Sequence, residues 1–292
     1  GAKIDFVDID ENDFNISIKK LKEKLEKTKP NKIPKILITV HFGGLPTYQD
    51  KIYKLSKKYN FKIIEDASHS IGSKYKNEIV GSCRWSNITV FSFHPVKIVT
   101  SGEGGVATTN SLKINQKLKL LRTHGIFKSK KFKPWYYEQK SLGFNYRMSD
   151  IHAALGYSQM KKINKFVFER NKIANLYKKY FANTNISFQQ VNKYSKSSYH
   201  LFVIKIDFQN RKKKYENLFK ILRKKNFFVN LHYLPVHLHP YYKELGFKKN
   251  NFPVAENYSK KAISLPIFYG LQKKTQSKII KLIFKFLKNE KE

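Results

Sequence analysis

The sequence predicts an α/β protein, with a mostly parallel sheet domain over residues 1–163 and a smaller C-terminal α+β domain over residues 164–292. Three observations predict it. Between residues 35 and 66 an apolar run, an amphipathic stretch and a second apolar run follow one another, the signature of a βαβ unit. From Ser149 the apolar residues recur at helical spacing over a long stretch, so the period changes there. Beyond that stretch, shorter strand-like and helix-like segments alternate again. With 292 residues and 41% hydrophobic content, the chain can bury a substantial core.

Taken in order, the opening GAKIDFVDID reads as a strand already inside a fold. Together with Gly1 in place of a methionine, this is the reading of an N-terminally truncated chain, with no leader sequence in front of it. KILITV (35–40) is a continuous apolar run, as expected of a parallel strand buried on both faces. TYQDKIYKLSKKYN (47–60) puts Ile52, Leu55 and Tyr59 at helical spacing, and FKIIED (61–66) is again strand-like. ITVFSF (88–93) is another strand, running into the loop of Lys97, and GGVATTN (104–110) starts a further short one. Such sheets place ligands at the carboxyl ends of their strands, and Asp66 sits at one. Ser149 is the expected N-cap of the long helical stretch SDIHAALGYSQMKKINKFVFERNKIANLYKKYF. After it come YHLFVIKID (199–207) as a strand, 211–225 as a helix that opens on the exposed run RKKK, and FFVNLHYLP (227–235) as a strand. An amphipathic helix from about Lys274 closes the chain.

A formal charge of +37 raises nucleic acid or an anionic membrane as partners. The kind of cation argues against both. Only Arg84, Arg122, Arg147, Arg170, Arg211 and Arg223 carry the planar fork suited to phosphates and bases, and the lysines are spread along the whole chain. Abundant Lys, Asn, Ile, Phe and Tyr is what AT-rich codons encode, so the charge reads as solvated faces, and no nucleic acid and no membrane partner is expected. A positive field would still steer a small anionic ligand inward. No window has the apolar length to span a bilayer, and Cys83, the single cysteine, cannot close an intramolecular disulfide, so the cytoplasm is the expected compartment.

The segment FSFHPVKIVTSGEGGVATTN (91–110) puts a lysine between an apolar strand and a glycine cluster. A lysine so placed escapes to solvent or is kept because its neutral amine does chemistry. An aldehyde cofactor built on a pyridine ring would need an amine for a Schiff base, an acid to keep the ring nitrogen protonated, and donors for a phosphate. Lys97, Asp66 and Ser92 offer these in turn, and the loop around Gly102 would let backbone approach closely. Each has a plainer explanation: a solvated loop lysine, a helix-capping aspartate, a serine satisfying its own backbone. The combination, in this order, points to the cofactor. His94, His124, His237 and His239 form no metal-ligand pattern.

IIEDASHSIGSKY, VGS, FSFHPVK, GEGGVATTN, RTHGI and LGFNYRMSD follow one another along the chain. In these motifs it resembles the DegT/DnrJ/EryC1/StrS family of pyridoxal-phosphate-dependent nucleotide-sugar aminotransferases, over essentially its whole length. The resemblance implies fold type I, the aspartate aminotransferase-like fold. DASH, VGSCRWSNITVFSFHPVK and HYLPVHLHPYY look most like the branch of that family serving pseudaminic acid synthesis, which acts on a UDP-linked 4-keto-6-deoxy-N-acetylhexosamine. By resemblance, Lys97 bonds the cofactor aldehyde, Asp66 pairs with the ring nitrogen, His69 lies near the ring and its 3-oxygen, and Ser92 binds phosphate. Asn145 is expected to reach the cofactor phosphate of the other subunit of a homodimer. His232, Tyr233, Leu234 and Pro235, with Arg147, are the expected contacts to the sugar nucleotide, and an amino acid, glutamate, is the expected donor. The family's N-terminal small-residue loop and its stacking aromatic ring have no counterpart here.

Three rivals stand beside this reading. A dehydratase of the same family would lack the Schiff-base lysine, and Lys97 argues against it. A catalytically silent regulator would lose the site; Asp66, Ser92 and Lys97 argue against it for the whole protein, and the missing N-terminal segment leaves it open for this chain. A nucleic-acid binder would show steeply salt-dependent binding and no cofactor spectrum.

Overall fold

A computed structural model describes residues 1–289 except 130, 132 and 210. The first half contains α1 (Ile18–Lys27), β1 (Ile36–Val40), α2 (Gln49–Tyr59), β2 (Lys62–Asp66), the two-residue strands β3 (Lys74–Tyr75) and β4 (Glu78–Ile79), β5 (Ile88–Ser92), β6 (Gly105–Thr108) and α3 (Leu112–Arg122). Its main sheet has the order β1-β2-β5-β6, parallel across the first three strands and antiparallel at β6. The βαβ unit expected at 35–66 is therefore present, with Asn60 ending α2 in the left-handed conformation that asparagine tolerates. α1 starts at Ser17, whose hydroxyl accepts from the Lys20 N–H, and lays Leu21 and Leu25 against Ile52, Phe61 and Ile63.

The second half continues with the short strands β7 (Ile126–Phe127) and β8 (Glu138–Gln139), then α4 (Asp150–Met160) and α5 (Ile163–Phe181). Ser149 caps α4 as expected, and the long helical stretch breaks at residues 161–162. There follow β9 (Ile186–Phe188), β10 (Ser195–Lys196), β11 (Phe202–Ile206), α6 (Lys212–Lys224), α7 (Pro240–Glu244), α8 (Pro253–Ser259), β12 (Ala262–Leu265) and α9 (Lys273–Asn289). β12, β11 and β9 make an antiparallel sheet covered by α5, α6 and α9. Ile204, Leu218, Leu222, Ile263, Ile279 and Ile283 are fully buried there, each contributing about 1.5–3 kcal/mol of transfer free energy.

Three expectations are corrected. Residues 1–8 form no strand, because Asp5, Asp8 and Asp10 turn their carboxylates onto the N–H groups of Phe6, Ile9 and Asn12 and compete with any ladder. Asp8 also accepts from the Val254 and Ala255 N–H groups at the start of α8, tying the opening segment to the far end of the chain. Residues 227–235 make a single bridge, Asn230 to Ser264, instead of a strand. Asn230 spends its side chain on the next N–H, and Pro235 has no N–H to donate. Finally, β1 is not buried on both faces: Ile36, Ile38 and Val40 lie exposed on one of them. No helix among the described residues is long and apolar enough to cross a membrane.

Candidate active site

Side chains alternate across β2, so Ile63 and Glu65 face α1 and α2 while Ile64 and Asp66 face the other way. Asp66 pairs in register with Val40 and Val90, which places it on the same face as Ser92, two residues further along β5. Its carboxylate accepts from the Ser68 N–H at 3.0 Å. Lys97 sits on a loop that folds back on itself: its N–H donates to the His94 carbonyl, and the Ser101 N–H donates to the Phe93 carbonyl. Ile98 and Val99 anchor this loop in a cluster with Ile71 and Phe93. The Lys97 side chain is half-buried, and burial holds its amine below the usual lysine range, an effect that Asp66 partly offsets. The amine thus borders a cleft of about 250 Å³ lined also by Ile98, Gln159, Phe166, Arg170 and Tyr269.

Around the two charges lies a cluster of rings. His69 is buried, accepts at Nδ1 from the Gly43 N–H at 3.4 Å, and faces the Tyr233 hydroxyl with Nε2 at 3.5 Å. Burial, with Lys97 and His232 adding to it against the pull of Asp66, drives its pKa down to about 3, so the ring is neutral at physiological pH. His232 shares a hydrogen bond of 2.8 Å with Ser264, and its carbonyl accepts from the Tyr258 hydroxyl. Burial and Lys97 lower its pKa as well. Tyr233 and Leu234 are exposed at the mouth, while Pro235 is buried and opens a short turn. Asp66, His69, Lys97, His232 and Tyr233 thus come together, as their sequence motifs imply.

Ser92, Asn145 and Arg147 make local contacts in this chain. Ser92 turns its oxygen to the His94 N–H at 3.4 Å, the local backbone role. Asn145 and Arg147 are exposed and hold each other, Arg147 donating to Asn145 Oδ1 at 3.0 and 3.2 Å, and neither contacts the Lys97 cluster among the described residues. The glycine cluster packs closely against its own chain. A Cβ on Gly102 would meet the His152 ring at 3.1 Å, and one on Gly104 the Met148 side chain at 2.5 Å, so these glycines admit the start of α4.

Residues that the motifs did not single out complete the site. His200 stacks on His69, and Arg170 is buried beneath it. HFGG (41–44), directly after β1, was the signal available, for its Gly43 N–H reaches His69. A half-buried amine held below its usual pKa, an acid at a strand end and a neutral imidazole fit a pyridine aldehyde: Lys97 would bond it and Asp66 would face its ring nitrogen.

Comparison with known proteins agrees. The model of the DegT/DnrJ/EryC1/StrS aminotransferase family matches residues 1–284. A UDP-4-amino-4,6-dideoxy-N-acetyl-beta-L-altrosamine transaminase of Campylobacter jejuni is 38% identical over 294 residues, covering 100% of this chain and 75% of the relative. Among solved structures, Helicobacter pylori PseC, an aminotransferase of pseudaminic acid biosynthesis, superposes with a TM-score of 0.88 at 29% identity, over 98% of this chain and 74% of that one. The pyridoxal-phosphate form of the putative sugar aminotransferase Spr1654 of Streptococcus pneumoniae also gives 0.88, at 26% identity over 99% and 76% of the two chains. The chain belongs to the DegT/DnrJ/EryC1/StrS aminotransferase family, and is a nucleotide-sugar aminotransferase of fold type I that uses pyridoxal phosphate.

Proposed function

We propose that this aminotransferase moves an amino group from glutamate to a UDP-linked 4-keto-6-deoxy-N-acetylhexosamine, in the cytoplasm, on the way to pseudaminic acid or a related surface glycan. The observation that carries the reading is the Lys97 amine, half-buried, held below its usual pKa and offset by Asp66, with His232 close enough to feel the lysine and Tyr233 the aspartate. When bound, pyridoxal phosphate supplies an electron sink for the carbanion formed at the substrate carbon. The Lys97 amine would carry the proton of the exchange, taking it up at Nζ as a neutral base from the substrate carbon and giving it up as an acid to a different carbon, and burial keeps the neutral form accessible. Asp66 holds the ring nitrogen protonated, and His69 presents an uncharged ring beside it. Ser92 binds the phosphate by turning its hydroxyl from the His94 N–H. His232, Tyr233, Leu234 and Pro235, with Arg147, bind the sugar nucleotide, and a strongly basic surface draws it in.

The working unit in this proposal is a homodimer with a shared site, Asn145 serving the partner's cofactor phosphate. Asn145 lies among exposed apolar side chains, Leu142, Phe144, Tyr146 and Ile151, a density that ordinary solvated surface seldom carries. The test is spectroscopic and then chemical. Added pyridoxal phosphate gives a visible absorbance band that Lys97→Ala removes, and isotope-labelled glutamate passes its nitrogen to a 4-keto sugar nucleotide. A wild-type protein with no Lys97-dependent band, or one that aminates only other keto positions, overturns the reading.

A further inference from the structure

Two imidazoles pack against each other as a tilted pair. The ring centroids of His69 and His200 are 4.4 Å apart with 40° between their planes, and both side chains are buried. The segment that carries His200 is fixed from below: Arg170 Nη1 donates to the carbonyls of Tyr199, His200 and Ile267 at 3.1, 3.2 and 3.0 Å. It is fixed from the side as well. Ser198 donates its hydroxyl to the His69 carbonyl at 3.1 Å, and Ser73 donates to the Gly44 carbonyl at 2.7 Å. Gly44, with φ of +98°, makes this approach possible, for a Cβ there would stand 2.7 Å from Ser198 Oγ and 2.9 Å from His200 N.

The hydrogen bonds assign the tautomer of His69. Its Nδ1 accepts from the Gly43 N–H, so the proton of the neutral ring sits on Nε2 and points to the Tyr233 oxygen. Tyr233 then accepts from His69, and its own O–H is free to turn into the cleft. The His200 backbone carbonyl is held by Arg170, whereas its ring Nδ1 is buried without a hydrogen-bond partner among the described residues. What His200 contributes toward His69 is ring packing.

The charged and titratable groups facing the pair are Asp66 at the end of β2, Lys97 on the loop after β5, Arg170 on α5, and His232 and Tyr233 on the segment before α7. A charged His200 would be a further cation between Lys97 and Arg170. Burial first, and then His69, Lys97, Arg170 and His232, push it far below the ordinary histidine range.

We propose that His200 is a positioning residue, which packs on the buried side of His69 and keeps it in place for the Gly43 N–H to hold as the neutral Nε2–H tautomer that orients the Tyr233 hydroxyl toward a bound sugar. The proposal rests on the Lys97–Asp66 cleft being the active site. Its test does not need the loaded enzyme: nitrogen-15 histidine spectra of the full chain without added cofactor, with His69 assigned by His69→Gln, report the tautomer directly. The wild type is expected to show neutral Nε2–H at His69 across the physiological range. A cavity at His200→Ala admits water, and the His69 pKa rises by about one unit or more. His200→Phe restores the ring packing and the wild-type tautomer. In the loaded enzyme, His200→Ala raises KM for the sugar nucleotide by about tenfold and leaves KM for the amino donor in place. A wild-type His69 protonated on Nδ1 overturns the proposal without any variant, and so does an unchanged His69 titration in folded His200→Ala. Loss of the Lys97-dependent absorbance band in the wild type would instead sink the underlying reading, and the two failures are told apart.

Discussion

Glu65 and Asp66 are neighbours in sequence and lie on opposite faces of the same sheet, and the two faces do opposite work. On the first, Glu65 is 2% exposed and is closed in by donors: Gln49, the Thr89 hydroxyl at 2.8 Å, and His41 Nε2 at 3.6 Å. On the second, Asp66 shares an incompletely covered surface with Ile36, Ile38 and Val40 of β1, and looks toward Lys97. One carboxylate clamps β1, β2, β5 and α2 together at their ends, and the other is held out by that clamp. Rigidity on the covered face is what allows an amine and an acid to stand near each other on the open one.

The comparison breaks first at Lys97. Lys97→Ala is expected to lower transamination by about 10³-fold or more, because both the covalent anchor and the proton carrier go, and to leave the unfolding temperature near that of the wild type. Asp66→Ala follows at about 10²–10³-fold, as the ring nitrogen loses its counter-charge. Steady-state rates alongside thermal melts decide both, and a fall in stability as large as the fall in rate would mean that the open face is structural after all.

Glu65→Ala is the matching experiment on the covered face. It leaves Gln49, Thr89 and His41 facing an empty site, at a cost of about 3–5 kcal/mol. Urea unfolding should show a lower midpoint, and transamination should fall only as far as the site loosens. Unchanged stability would remove the clamp from the account.

Much of this was legible in the sequence. The βαβ unit, the strand end at Asp66 and the Ser149 cap follow from apolar period and residue type, which are local signals. Lys97, His69, His232 and Tyr233 come together as their motifs imply. What was not legible is long-range. The meeting of His69 with His200 depends on Gly44 admitting the 198–200 segment, across more than a hundred residues of sequence. The glycines at 102 and 104 look like a ligand loop because a glycine records only that something comes close, and here it is α4. Residues 227–235 have strand composition, yet their pairing was decided by where Asn230 and Pro235 spend or lack a donor.

Asp13 sharpens the comparison at the smallest scale, as a second buried carboxylate without Glu65's surroundings. Both are nearly inaccessible, and burial raises the pKa of each. For Glu65 the nearby His41, at 3.6 Å, and the hydrogen bonds from Thr89 and Gln49 overcome burial and hold the pKa below its ordinary value of 4.5. Asp13 has only the Asn15 N–H, with Asp10 working against it, and rises from 3.8 to about 6. The signs of their pH dependence are therefore opposite. Glu65 stabilises the fold at neutral pH and loses that contribution as pH falls below 4.5, whereas the folded state holds the Asp13 proton more tightly than the unfolded chain does, so stability falls as pH rises from about 4 to 6. Two pKa units cap the Asp13 effect near 3 kcal/mol, and water reaching the site leaves about 1–2 kcal/mol. Asp13→Asn should therefore raise the melting temperature at pH 7 and flatten the decline between pH 4 and 6. A variant that melts lower at pH 7 would mean that the Asp13 charge is compensated, and that burial rather than its shortage of donors is what the two carboxylates share.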